Sequence, residues 1–249
     1  PDPSASAGPF TARGRSRDLH VVGVGASAGA LDSLRRLLGA APADTPLAFV
    51  VVTHMSPDHE SLLPELLARH TALEVRAALD GARLHPGTVH VMPPGTVLGF
   101  RDGRLRLEPR ESGSGLHTPI DAFFRSLAAE CESRGTAVVL SGTGSDGARG
   151  VRHVKEAGGA VVVESPRSAA YASMPDHASE AVPPDLVLPA EEIVGGITDL
   201  VDQFRASDWS SQIVLTRVEH PERYGVAELN GEGRVVHLVE KPDEPPSDL

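Results

Sequence analysis

Residues 19–29, LHVVGVGASAG, decide how the rest of the chain is read. Leu19 to Val24 is a largely apolar, β-branched run, the composition of a buried strand. Gly25-Ala26-Ser27-Ala28-Gly29 then makes a G-x-S-x-G pattern where a strand would end and a helix begin. A sharp turn of that kind can lift a serine hydroxyl clear of a sheet edge. Small flanking residues permit the tight backbone and leave room for a substrate carbonyl. Free N–H groups at the helix start can face a developing oxyanion. Two other readings fit the same residues. Ser27 can be an ordinary helix N-cap. Gly23-x-Gly25-x-x-Ala28 also matches a dinucleotide fingerprint, which wants an acid at the tip of the next strand to hold the ribose. That strand, residues 48–54 (AFVVVTH), ends in His54, and no acid comes before Asp58.

Outward from this stretch, strands and helices alternate. Helical patterns cover residues 30–38, 61–70, about 118–133, 151–157 and 190–204. Apolar strands cover 136–140, 160–163 and 185–188. A middle section carries short strands at 74–77, 89–92, 96–100 and 104–107, and Asp102-Gly103 between the last two is a hairpin signal. The expectation is an α/β fold: a three-layer, doubly wound, mostly parallel sheet with a small β-hairpin insertion and a C-terminal β-hairpin tail.

Composition narrows the function classes. The chain has 249 residues, 40% hydrophobic but only 4% aromatic, so its core is built from Val, Leu and Ala. That suits parallel strands buried on both faces. Lys and Arg total 23 against 34 Asp and Glu, a net charge of −11. An acidic chain without a basic stripe argues against nucleic acid and against anionic membrane surfaces. No run approaches the roughly 18 apolar residues of a membrane span. The single cysteine, Cys131, cannot build a disulfide framework, which points to a reducing, cytoplasmic setting. Residues 1–17, rich in Pro, Ser, Ala, Gly and Arg, read as a disordered leader.

In open α/β sheets, ligands sit beyond the carboxyl ends of the strands. Ser27, His54 and Asp146 each come at or just past such an end, on three separate strands. They are the three types that a hydroxyl nucleophile needs. Ser27 attacks, His54 takes and returns the proton, and Asp146 fixes the imidazole tautomer and its charged form. Each has a plainer reading: a hydrogen-bonded structural histidine, and an aspartate that makes an Asx-turn or caps a helix. The loop 142–147 could cradle a phosphate, but it lacks the lysine of a P-loop.

Several stretches carry a resemblance: GVGASAGAL, FVVVTHMSPDHESLL, DGARLHPGTVHVMPPGT, TPIDAFFRSLA, VVLSGTGSDGARGV and SMPDHA. Across about residues 18–200, within a domain expected to span 18–206, the chain resembles the catalytic domain of CheB-type protein-glutamate methylesterases. SPDHESLLPELLARHT and PIDAFFRSLA are most similar to the branch fused to a receptor methyltransferase. The resemblance implies Ser27, His54 and Asp146 as a catalytic triad. It implies Ala28, Thr143, Gly144 and Met174 around the oxyanion and substrate. The implied substrate is the glutamate methyl ester of a chemoreceptor's cytoplasmic helices, and methanol is released. Related enzymes also deamidate receptor glutamines. No metal or organic cofactor is implied, and a receptor methyltransferase is a second implied partner. The chain departs from the family pattern at four positions. Ala30 stands for a second glycine, Thr53 for a glutamine, Thr143 for a methionine and Glu164 for a frequent glutamine. These departures keep a second reading open, a catalytically silent binding module of the same fold.

From residue 207 the chain changes character. Residues 213–218 read as a strand, and 224–229 with 235–239 as a hairpin across Asn230-Gly231. PERYGVAELNGEGRVVHLVEKPDEPPSDL resembles an internal piece of sugar-1-phosphate nucleotidyltransferases, by which Gly225, Glu240 and Lys241 would be sugar-site residues. Two strands alone do not hold a stable nucleotide site, so 207–249 is expected to be a partial, remnant segment.

Overall fold

The structure is a computed structural model that describes residues 19–27, 29–53, 62–110, 118–206, 225–229, 231 and 235–240. Strand β1 (His20–Ala26) lies at the centre of the main sheet and is buried along its whole length. Helix α1 (Leu31–Gly39) leads to β2 (Leu47–Thr53), and α2 (Leu63–Ala68) leads to β3 (Glu74–Ala77) and β4 (Thr88–Val91). Strands β5 (Thr96–Arg101) and β6 (Arg104–Pro109) form an antiparallel hairpin apart from that sheet. Helix α3 (Pro119–Cys131), β7 (Gly135–Val139), α4 (Gly150–Glu156), β8 (Ala160–Glu164), α5 (Ser173–Ala181), β9 (Leu186–Leu188) and α6 (Ala190–Ala206) follow.

The seven-stranded sheet runs β3-β4-β2-β1-β7-β8-β9, and every pairing in it is parallel. The expected doubly wound α/β sheet is therefore present. Its middle section departs from a purely local reading. β3 and β4 extend the main sheet beside β2, and only β5 and β6 make the hairpin insertion. Alternating patterns identify a strand but carry no information on its partner.

The order of the strands sets the position of the crevice. From β1 the chain steps to β2 on one side, and from β7 it steps to β8 on the other. Right-handed crossovers in opposite directions put α1 and α4 on opposite faces. One face packs Ile120, Phe123, Phe124 and Leu127 of α3 against Val21, Val50, Ala137 and Val161. The approach is close because β1 has no side chain at Gly25: a Cβ there would come within 2.5 Å of Ile120 Cγ2. On the other face Val22, Val24, Phe49 and Val51 are buried, and α1 buries Leu34, Leu37 and Leu38. Both faces are thus sealed by apolar side chains, mostly aliphatic with Phe49 on one face and Phe123 and Phe124 on the other.

The chain divides into two compact units, residues 1–198 and 199–249. In the second, β10 (Gly225–Leu229) and β11 (Val235–Glu240) pair antiparallel with an irregularity at Glu228/Leu229. The strand expected at 213–218, the leader 1–17 and Asn230 lie outside the described residues. No described helix is long and apolar enough to cross a membrane.

Candidate active site at the sheet's carboxyl rim

The switch in strand order falls between β1 and β7, and the loops that leave these two strands carry Ser27 and Asp146. A doubly wound sheet opens its ligand crevice at that point. Ser27 follows the last residue of β1 and is half-buried. Its backbone is fixed on both sides. The Ser27 N–H donates to the Ser141 carbonyl at 3.4 Å, and the Ser27 carbonyl accepts from Ala30 N–H at 3.1 Å. Helix α1 starts only at Leu31, and its N-cap is Ala30, with no side-chain cap bond. The N-cap reading of Ser27 therefore gives way to a turn that leaves its hydroxyl uncommitted to α1. Ala30 has an ordinary φ of −84°, so its Cβ is compatible with this turn.

Gly142 explains why two separate loops can meet here. A Cβ at Gly142 would lie 2.8 Å from Ser27 Cβ and 2.3 Å from Met174 Sδ. Glycine at 142 is what allows β7's loop to pass directly behind the serine. Met174 is buried, and its N–H donates to the Gly142 carbonyl at 3.1 Å. Its amide is thereby committed, and its side chain forms a wall behind Ser27. Thr143 and Gly144 are exposed. Among the described residues their amides donate no hydrogen bond, which leaves them as free donors at the rim. Gly29, with φ of +87°, lies against the ring of Tyr171, which is half exposed beside the same turn.

Asp146 is buried, and its two carboxylate oxygens accept from the Ile120 and Asp121 N–H groups, each at 2.9 Å. It is thus a helix cap, but for α3 rather than for the helix that follows it. Helix α3 has no cap bond from its own Thr118. Asp121 returns the arrangement. Its Oδ1 accepts from Gly147, Arg149 and Gly150 N–H at 3.0, 3.0 and 2.8 Å, at the start of α4. Two buried aspartates therefore clasp the amino ends of each other's helices, a pairing favoured by the free amides and positive dipole end there. Sequence reasoning missed Asp121. The signal was an acid inside the otherwise apolar start of PIDAFF, on the face that α3 buries.

The third expected member is not placed. β2 ends at Thr53, in register with Ala26 of β1. His54, the next residue, and Ala28 of the serine turn lie outside the described residues. Thr53 itself is buried, and among the described residues its hydroxyl has no hydrogen-bond partner. A cavity of about 230 Å³ lies at the opposite, amino end of the sheet, between Leu19, Val21, Phe100, Cys131 and Arg134, away from Ser27.

Comparison with known proteins agrees with this architecture. The CheB methylesterase family model matches residues 22–197. A Nucleotidyl transferase family model matches residues 167–249, overlapping the first across α5, β9 and the start of α6. The chain is 37% identical over 193 residues to a protein-glutamate methylesterase/protein-glutamine glutaminase of Moorella thermoacetica, covering 76% of this chain and 46% of that protein. A Rhizobium meliloti protein of the same name, of a group 3 operon, is 34% identical over 198 residues, covering 79% of this chain and 55% of its own length. The crystal structure of the Thermotoga maritima CheB methylesterase catalytic domain superposes with a TM-score of 0.67 at 30% identity. That match covers 73% of this chain and 98% of that one. The chain spans about half the length of the curated relatives it matches.

Proposed function

The chain belongs to the CheB methylesterase family, and from that premise we propose that it hydrolyses glutamate methyl esters on the cytoplasmic helices of chemoreceptors. The observation that carries this reading is the junction of two loops at the strand-order switch. There Ser27 is held by Ser141 and backed by Gly142, on the sheet rim where Asp146 is held by α3. Ser27 Oγ attacks the ester carbonyl while His54 takes its proton. Asp146 orients the imidazole and stabilises its charged form. The tetrahedral oxyanion forms facing the free Thr143 and Gly144 amides and Ala28. His54 returns the proton to the departing methoxide, which leaves as methanol. Water, deprotonated by His54, then attacks the acyl-serine; His54 passes that proton to Ser27 Oγ as the C–O bond breaks, and the freed glutamate ionises to its carboxylate. A glutamine side chain presents the same carbonyl with ammonia as leaving group, so deamidation follows the same path. A receptor methyltransferase is a second partner in this proposal, and residues 207–249 are a partial nucleotidyltransferase-like segment without a role in the chemistry.

The experiment is methanol release from methylated receptor by this chain and by its Ser27→Ala variant. The expected outcome is release by the first and a loss of at least about 1,000-fold in the second, with the fold intact. Equal receptor binding by both chains with no methanol from either would select a binding module instead.

A further inference from the structure

Glu164, the last residue of β8, is a carboxylate with no exposed surface. Its position is inherited from β8, yet it serves the serine loop. Oε2 accepts from the Ser141 N–H at 2.8 Å. Oε1 accepts from Ser33 Oγ at 3.0 Å and from the Arg36 guanidinium at 3.1 Å, both on α1. Ser141 is the residue whose carbonyl receives the Ser27 N–H, and its hydroxyl accepts from Tyr171 N–H at 2.9 Å. One buried acid thus joins three elements: α1, which follows the serine turn; the end of β7; and the segment that carries Tyr171. Arg36 is itself spread over Asp32, Glu191 and the Ser168 carbonyl, so its charge is compensated from several sides.

A carboxylate removed from water costs several kcal/mol unless its lone pairs are filled. Here they are filled by the groups that fix the position of Ser27. We propose that Glu164 is a positioning residue for the nucleophile, acting through Ser141; this rests on the esterase reading above. Without an acceptor on Ser141 N–H, the end of β7 loosens, and the Ser27 amide loses its fixed partner. The hydroxyl then samples positions away from the ester carbonyl, and turnover falls while receptor binding does not.

The test uses Glu164→Leu and Glu164→Gln in the full chain. Leucine fills the site but accepts nothing. Glutamine keeps an oxygen for Ser141 and offers its amide to the Ser33 hydroxyl. Glu164→Leu is expected to lower kcat about 100-fold, the scale set by a 1 Å misplacement, with KM within about threefold. Glu164→Gln is expected to recover kcat to within about fivefold of the parent, because the Ser141 acceptor is restored. Hydrogen exchange at the Ser27 and Ser141 amides supplies a readout that needs no turnover. Both should exchange at least about tenfold faster in Glu164→Leu and return toward the parent rate in Glu164→Gln. Should Glu164→Leu fail to fold, Glu164→Asp withdraws the carboxylate by one methylene and is expected to show the same two effects at smaller size. Unchanged exchange at both amides, or unchanged kcat with a folded variant, overturns the positioning role. A parent chain that releases no methanol but shows the exchange response overturns the esterase reading alone.

Discussion

The two halves of the sheet differ in which of their buried polar groups are tied to distant backbone. On the β1-β7-β8 side, Asp121, Asp146 and Glu164 are all buried, and each accepts hydrogen bonds from named backbone amides. On the β2-β4-β3 side, both ring nitrogens of His90 and the hydroxyl of Thr53 are buried with no partner among the described residues. The satisfied acids bind backbone of the loop that carries Asp146 and of the amino ends of α3 and α4, and Glu164 also binds the Ser33 and Arg36 side chains of α1. The unsatisfied groups sit within strands and hold no loop. Burying a charge is tolerable where backbone donors converge on it, and those donors become fixed in return. The first half is therefore tied together by polar contacts between segments distant in the chain, while on the second side a buried hydroxyl such as that of Thr88 bonds only to nearby His85, at 2.7 Å to its carbonyl.

The largest expected contrast comes from Asp121→Ala. It leaves three amides at the α4 start without their acceptor and removes half of the clasp around Asp146. A loss of about 4 kcal/mol in unfolding free energy is expected, read by urea titration. The Arg149 partner contributes little to this, since its side chain is largely exposed. Next comes His90, whose pKa is lowered to about 4, first by burial and then by the Arg76 charge, against the opposing pull of Glu74. The unfolded chain binds the proton near 6.5 and the folded chain only near 4. Stability is therefore complete above about pH 6.5 and declines as pH falls toward 4, by about 3 kcal/mol at most. In His90→Phe that part of the slope should vanish; a slope equal to the parent's would mean that His90 is not the group being titrated. The smallest effect is Thr53→Val, an isosteric change that removes an unpartnered hydroxyl. It should raise stability by up to about 1 kcal/mol in the same titration, while Ser141→Ala, on the satisfied side, lowers it.

Much of this architecture was legible in the sequence, and the gaps have physical causes. The apolar runs of β1, β2, β7 and β8 announce strands buried on both faces, and the alternation with helices announces parallel pairing. Helix α5 was not legible: SMPDHASEA offers only Met174, Pro175 and Ala178 to the interior, too weak a stripe to register. The pairing of β4 with β2, and of β3 with β4 beyond it, is a choice of partner that no local period encodes. At the rim, Ser27 and Asp146 could be picked out because their loops follow recognisable strands. Their supports could not. Asp121 and Glu164 act on amides more than 20 residues away, and a carboxylate's choice among distant backbone donors leaves no mark in its neighbours. Thr143 stands where the family often has methionine; in the proposed mechanism its backbone N–H is the donor, which a side-chain change leaves in place.

The most direct measurement is the rate of methanol release from methylated receptor by Ser27→Ala, His54→Gln, Asp146→Asn and the triple variant, side by side. Three side chains acting as one device give single losses of at least about 1,000-fold and a triple variant no worse than Ser27→Ala alone. Single losses that multiply in the triple variant, or turnover at the parent rate in any single variant, would contradict the shared site at the β1–β7 rim.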